Sequence, residues 1–335
     1  MTAAYAFYTS QALAKSTQSS YAHGAKVFRT FAAMCGVPKL VNNPELPFCD
    51  EEVLCYFVSH CVSHLHLSYP TIKLYLAGIR NMYIHWGGTN PLVHVSGRPL
   101  YKLEMLLRGV KKTQAQARPL RDPITVNILN KLAQKLDHGY FGPYTDKLMK
   151  AACFLAFFGF LRCGEFTCPS YDFDPGLHLC LKDVTVYPQF IGVNIKVSKT
   201  DPFRQGCVIK LFKTGSPLCP YSALLQFLQV RHTFRNSSLE PFFLLPDFLP
   251  LTRGTFAKML NELCRSTAIS TSSLNTHSFR IGAATTAAAN KTPEHLIQTL
   301  GRWSSDCYRR YIRTSDDLIA QTQLAMSIPH SANSG

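Results

Sequence analysis

The residues with chemical potential in this chain are polar side chains standing where its apolar pattern leaves no room for them. Arg162 follows directly on the apolar run Phe154–Leu161, and Glu165 stands three residues on, where its carboxylate can hold the guanidinium in one pose. Lys199 occupies the turn-forming stretch Ser198-Lys199-Thr200-Asp201-Pro202, at a hairpin tip. His277 and Arg280 share one face of a helix that Thr276 can cap, and such a helix start suits an oxyanion. Trp303, one of two tryptophans, follows Gly301-Arg302 between two helices, and its indole N–H can donate to a phosphate oxygen. Tyr311 lies on the last helix, before Arg313 and a polar tail. Plain structural readings stand beside these: a helix-end ion pair for Arg162 and Glu165, an exposed turn lysine for Lys199, a hydrophobic anchor for Trp303.

The elements that must position them fall into two groups. Four helical patterns fill the first third. Tyr21, Val27, Phe28 and Phe31 mark the first, closed by Gly36, after twenty loose residues rich in Ser, Ala and Thr. Asp50 caps the second, through Leu54, Phe57, Val58 and Cys61. Ile72, Tyr75, Leu76, Ile79 and Tyr83 line the third behind Pro70, and Leu103, Leu106 and Leu107 the fourth. No strand pattern intervenes, so this third reads as a small helical bundle. The basic stretch from Lys111 to Pro123 reads as a linker. Helices follow over Ile124–Leu136 and Asp146–Leu161. Strand-like runs then cover Leu177–Tyr187, Phe190–Val197 and Gly206–Phe212. The remainder is helical: Tyr221–His232, Thr252–Ser266, His277–Ala289, Pro293–Leu300 (capped by Thr292) and Ser304–Ile312. The expected fold class is therefore mainly α, an α+β arrangement: an N-terminal helical bundle and a mixed C-terminal domain with a small antiparallel sheet. The domains expected are residues 1–115, a linker over 116–123, a second domain over 124–325 and a flexible tail over 326–335.

Composition bounds the function. Hydrophobic residues make up 46% of the 335, enough for real cores and too many for global disorder. Thirty-five Lys and Arg against twenty Asp and Glu leave a net charge of +15, although only 16% of residues are charged. A polyanion, nucleic acid first, is the implied partner. The excess is spread: thirteen bases against six acids up to residue 123, and twenty-two against fourteen beyond it. Arg98, Lys102, Arg108, Lys111, Lys112 and Arg118 line the fourth helix and linker as candidate phosphate contacts. The longest apolar run, Leu148 to Leu161, is interrupted by Lys150 and is too short to span a membrane, and no secretory signal opens the chain. The twelve cysteines then read as free thiols of a reducing compartment. His60 and His64 are four apart on a helix and could seat a metal, but no second ligand pair follows at finger-like spacing, and no metal is expected.

The order of the first group of residues carries more than each alone. Phe160-Leu161-Arg162-Cys163-Gly164-Glu165, Ser198-Lys199-Thr200-Asp201, His277-Ser278-Phe279-Arg280-Ile281-Gly282 and Leu300-Gly301-Arg302-Trp303 through Tyr311-Ile312-Arg313 resemble the tyrosine recombinases, the phage-integrase-like family. Thr71 to Arg80 is similar to that family's core-binding domain. The motif wording is most similar to recombinases of Crypton and DIRS-like mobile elements. Many relatives have His where Trp303 stands. The gap of eight from Trp303 to Tyr311 leaves Tyr308 as a rival nucleophile, and Tyr-Ile-Arg favours Tyr311.

The resemblance implies a catalytic domain of the DNA breaking-rejoining type and a core-binding, SAM-like bundle. It implies site-specific cutting and rejoining of double-stranded DNA, by a homo-oligomer that is a tetramer on DNA. Catalytic residues would be Arg162, Lys199, His277, Arg280, Trp303 and Tyr311, supported by Glu165. Such chemistry needs an activated oxygen, neutralisation of phosphorane charge and an acid for the leaving group. Tyr311 would attack and Lys199 protonate the 5′-oxygen. Arg162 and Arg280 would clamp the non-bridging oxygens, Trp303 would donate to the phosphate, and His277 would take a proton or hold an oxygen. Bond energy is kept in the phosphotyrosine, so no cofactor and no small-molecule substrate is implied. The location expected is nuclear in a eukaryote and cytoplasmic otherwise. The alternatives are a domesticated DNA-binding protein that no longer cuts and a type IB topoisomerase-like relaxation activity.

Overall fold

The computed structural model describes residues 2–115, 121–199, 201, 203–234, 237–272, 274–314 and 316–326. The chain divides into two units, Met1–Arg118 and Pro119–Gly335, each with its own apolar core.

The first unit is built on helices α1 (Thr2–Gln11), α2 (Lys15–Met34), α3 (Glu51–Ser63), α4 (Tyr69–His85) and α5 (Tyr101–Thr113). The stripe Phe28, Phe31, Phe57, Ile72 and Ile79 is buried between α2, α3 and α4. Asp50 caps α3 as expected, its carboxylate accepting from the Val53 N–H at 2.8 Å. Three expectations fail here. The opening residues are helical, because Ala3, Ala4 and Ala6 favour helix even without a core-facing stripe; Phe7 and Tyr8 stay exposed. A two-stranded hairpin, β1 (Lys39–Leu40) with β2 (Asn43–Pro47), follows α2, and Pro44 and Pro47 conceal it from pattern reading. Lys111 and Lys112 belong to the last turn of α5 rather than to a linker.

In the second unit α6 (Val126–Asp137), α7 (Pro143–Phe158), α8 (Pro220–Phe234), α9 (Arg253–Ser266), α10 (Ser278–Ala289) and α11 (Glu294–Gly301) surround one core. Helix α7 is its axis: Leu148, Met149 and every residue from Ala151 to Phe157 are buried, as an all-round apolar helix must be. Strands β3 (Val184–Val186), β4 (Phe190–Ile195) and β5 (Cys207–Phe212) form an antiparallel sheet in that order. Of the expected run Leu177–Tyr187, only Val184–Val186 is strand. Leu181–Asp183 forms a 3-10 turn, and Asp183 accepts from the Cys180 N–H at 2.7 Å, a local bond that replaces a ladder bond. Ser304–Ile312 is not an α-helix either: Asp306–Tyr311 is a 3-10 segment, and a further helix α12 (Asp316–Met326) follows where a polar tail was expected. Thr292 does not cap α11; Pro293 takes the N-cap position. Among the described residues no helix is long and apolar enough to cross a membrane, and no group of His, Cys, Asp or Glu is arranged to hold a metal.

Candidate active site

Two helix ends build the site. Helix α7 stops at Gly159, and Phe160 turns left-handed at φ 49°. The Leu161 N–H then reaches back to Ala156 and the Phe160 N–H to Phe157, the paired bonds of a Schellman turn. Helix α11 ends the same way. Arg302 turns left-handed at φ 54°, with Trp303 N–H on Gln298 and Arg302 N–H on Thr299. A side chain at Gly301 would put its Cβ 1.7 Å from a Trp303 ring carbon, so only glycine lets the indole fold back over this turn. Gly282 is needed in the same sense, since a Cβ there would lie 1.8 Å from the Ile124 carbonyl oxygen.

Arginines stitch the two ends together. Arg280, fully buried on α10, donates to the Phe160 carbonyl at 2.9 Å and to the Gly301 carbonyl. Arg302 donates to the Gly159 carbonyl at 3.0 Å and to Glu165 at 2.8 Å. Cations on the last carbonyls of α7 are favoured by the helix dipole as well as by the bonds. Glu165, in the 3-10 turn Cys163–Glu165, collects more than the expected partner. It accepts from the Arg162 backbone at 2.9 Å, the Arg162 guanidinium at 3.1 Å, Arg302 at 2.8 Å and the Ser198 hydroxyl at 2.7 Å.

The remaining residues gather around this knot. The Arg280 guanidinium stacks 4.4 Å from the Trp303 ring centre and 5.7 Å from that of Tyr311, whose ring lies 5.1 Å from Trp303. Trp303 is thus an anchor in the core, as its plainer reading had it. Its buried Nε1 has no hydrogen-bond partner among the described residues, nor have Arg280 Nε and Arg302 Nε. Burial and loss of solvation, then the neighbouring Arg162, lower Arg280 to about 10, still a cation at neutral pH. His277, not Thr276, is the N-cap residue of α10, and its side chain makes no cap bond; the Asn275 carboxamide oxygen accepts from the His277 N–H at 2.8 Å. Thr276 is instead buried, its hydroxyl against the Cys163 thiol. Burial first, then the charges of Arg121, Arg253, Arg162 and Arg280, hold the His277 imidazole below its ordinary pKa, so it is neutral and able to accept a proton at pH 7.

The two tyrosines are in different situations. Tyr308 donates its hydroxyl to Glu294 at 2.5 Å, a carboxylate that Arg309 also holds at 3.0 Å, and that bond raises its pKa. Tyr311 ends the 3-10 segment against Arg280 and Trp303, its carbonyl accepting from Thr285 at 3.2 Å. Lys199 is exposed in the loop between β4 and β5. Arg98, Arg108, Lys111 and Lys112 are exposed in the first unit. Arg108 and Lys112 lie one turn apart on the face of α5 away from Leu103 and Val110. Lys102 is committed to Glu52 at 2.9 Å, and Arg118 lies outside the described residues.

Sequence reading missed Ser198, Arg302, Arg121 and Arg253 as members of this cluster. For Arg302 the signal was present, a charge wedged between Gly301 and Trp303. For the other three nothing in local spacing marks them.

No family model and no curated protein sequence matches the chain. Solved structures do. The site-specific recombinase XerH in a post-cleavage complex with its palindromic difH substrate is 16% identical, with a TM-score of 0.58 over 83% of this chain and 70% of that one. The Tn1549 transposon integrase with transposon right end DNA is 13% identical, with a TM-score of 0.57 over 91% and 99%. A lambda integrase tetramer on a Holliday junction is 13% identical, with a TM-score of 0.56 over 92% and 76%. Mainly helical, with small antiparallel sheets, this chain has the fold of the tyrosine recombinases and integrases.

Proposed function

We propose that the chain cuts and rejoins duplex DNA as a recombinase or integrase, through a covalent 3′-phosphotyrosyl link on Tyr311. One observation carries the reading. Tyr311 packs on a buried, cationic Arg280 beside Trp303, whose indole N–H has no acceptor among the described residues. A cluster with more donors than acceptors, next to a phenol, suits an anionic oxygen and a nucleophile in one place.

In the reaction the Tyr311 oxygen forms a bond to phosphorus while the bond from phosphorus to the 5′-oxygen breaks. The phenol proton passes to the neutral His277. Lys199 delivers a proton to the departing 5′-oxygen. Arg162 and Arg280 meet the charge that develops on the non-bridging oxygens, and Trp303 adds one donor. Rejoining is the same sequence in reverse. The exposed Arg98, Arg108, Lys111 and Lys112 supply phosphate contacts that carry no sequence information. A tetramer on DNA and an origin in a Crypton or DIRS-like mobile element belong to the same reading.

The test is a nicked suicide duplex, on which the cut strand cannot be resealed. The expected product is a 3′-linked adduct that Tyr311→Phe abolishes and Tyr308→Phe retains. The reverse pattern moves the nucleophile to Tyr308. A second reading, a DNA-binding protein that no longer cuts, draws on the full burial of Arg280, whose terminal nitrogens both hold backbone carbonyls. Duplex binding without any adduct selects it. Relaxation of supercoils without exchange between two duplexes selects a type IB topoisomerase-like activity.

A further inference from the structure

The loop that carries Lys199 is exposed at its tip and pinned at its base. Lys196, just beyond β4, donates to Asp183 at 2.5 Å and to the Pro175 carbonyl at 2.8 Å. Asp201 closes the far side, its carboxylate accepting from the Gly206 N–H at 2.7 Å. Between them the Asp201 N–H donates to the Ser198 carbonyl at 3.0 Å, so Ser198 and Asp201 bracket one turn with Lys199 as its second residue. Ser198 also faces inward. Its hydroxyl donates to Glu165 at 2.7 Å and accepts from the Arg162 guanidinium at 3.2 Å. The first residue of the lysine's turn is therefore bonded to the same ion pair that fixes Arg162.

We propose that Ser198 is a positioning residue that ties the turn bearing Lys199 to the Arg162–Glu165 pair, so that proton donor and phosphate clamp arrive in one register. The inference rests on the recombinase reading and assigns Ser198 no contact with DNA. A leaving group about 1 Å out of place can cost about 100-fold in rate, and a general acid is worth about 100- to 10,000-fold. Without its hydroxyl anchor, the turn should keep Lys199 but lose its aim.

The experiment compares single-turnover cleavage of two suicide duplexes, one with oxygen and one with sulfur at the 5′-bridging position of the scissile phosphate. A thiol has a pKa of about 8.5, so a thiolate leaves without an acid. Ser198→Ala should slow the oxygen substrate about 10- to 100-fold and the sulfur substrate less than about threefold. Lys199→Ala should show a larger loss with the same rescue. Near-normal sulfur cleavage also shows that the variants are folded. Equal slowing on both substrates would overturn the proposal, because Ser198 would then serve the arginine clamp or the fold. Failure of sulfur to rescue Lys199→Ala would overturn it too, by removing Lys199 as the acid. A wild-type chain that cuts neither substrate sinks the recombinase reading itself, and the role of Ser198 with it.

Discussion

Glu165→Gln asks whether one carboxylate holds the candidate site together. Oε2 accepts from the Arg162 N–H at 2.9 Å and from Arg302 at 2.8 Å; Oε1 accepts from Ser198 at 2.7 Å and from the Arg162 guanidinium at 3.1 Å. Four donors converge on two oxygens, so a carboxamide cannot satisfy them in either orientation. Its NH2 must face one pair of donors, and both guanidinium groups lose the charge of Glu165. Water makes up little of the loss, for the carboxylate is 3% exposed and the side chains of Arg162 and Arg302 15% and 17%. Removing one partner of a buried pair costs roughly 3–5 kcal/mol, and the slight exposure of both arginines puts this site at the low end, about 3 kcal/mol. The assay is urea unfolding followed by tryptophan fluorescence in a Trp86→Phe background. Trp303 is then the sole tryptophan and reports on the second unit. At a slope of about 2–3 kcal/mol/M the midpoint should fall by about 1–1.5 M. A shift worth less than about 1 kcal/mol, the value of an exposed ion pair, would refute the account of Glu165 as the keystone.

Gly301→Ala forces the Trp303 ring off its turn, since the new Cβ would lie 1.7 Å from it; a loss of about 1–3 kcal/mol in the same unfolding assay is expected, with altered Trp303 fluorescence. His277 is held below its ordinary pKa, so the folded chain binds fewer protons than the unfolded one between its depressed pKa and about 6.5. Stability contributed by the neutral imidazole is therefore complete above about pH 6.5 and is lost as pH falls through the folded value, and His277→Ala should flatten that limb of a stability-against-pH curve. The acid limb of the cleavage rate should likewise have its midpoint below about pH 6.5. DNA affinity should fall by about a thousandfold or more between 50 and 200 mM salt if about six bases touch phosphate, and a flat salt titration contradicts that use of the +15 charge.

Periodicity made the helices legible, because their apolar stripes are set by the core they enter: Phe28 and Phe31 on α2, Leu129, Leu132 and Leu136 on α6. It failed where local bonds override pattern. Asp183 and Asp174 bend the stretch before β3, Pro44 and Pro47 hide β2, and the short span from Trp303 to Tyr311 winds as a 3-10 segment. The same limit applies to the site. Residue order pointed to Arg162, Glu165, His277, Arg280, Trp303 and Tyr311, and these do gather around two helix ends. Order could not show that Glu165 holds two arginines, or that Arg302 and Ser198 belong to that knot, because those bonds join residues 33 to 137 apart.

Two of the left-handed residues in this unit also have a reason. Phe160 and Arg302 both occupy the left-handed C′ position of a Schellman turn, where glycine is ordinarily at ease and a side chain costs about 1–2 kcal/mol. Glycine at 160 would remove the ring that meets Trp303 edge-on at 6.2 Å, and glycine at 302 would remove the guanidinium on Glu165 and Gly159. A buried, charge-assisted bond is worth about 1.5–3 kcal/mol, so at 302 the side chain offsets its own backbone strain. What remains is position. The first turn leads from the end of α7 to Arg162 and the second from the end of α11 to Trp303, and the freed carbonyls of Gly159, Phe160 and Gly301 are each held by an arginine. Arg204, Phe248, Ala268 and Lys291 are left-handed in this unit as well, but at Phe160 and Arg302 stopping a helix also sets the aim of a candidate catalytic side chain.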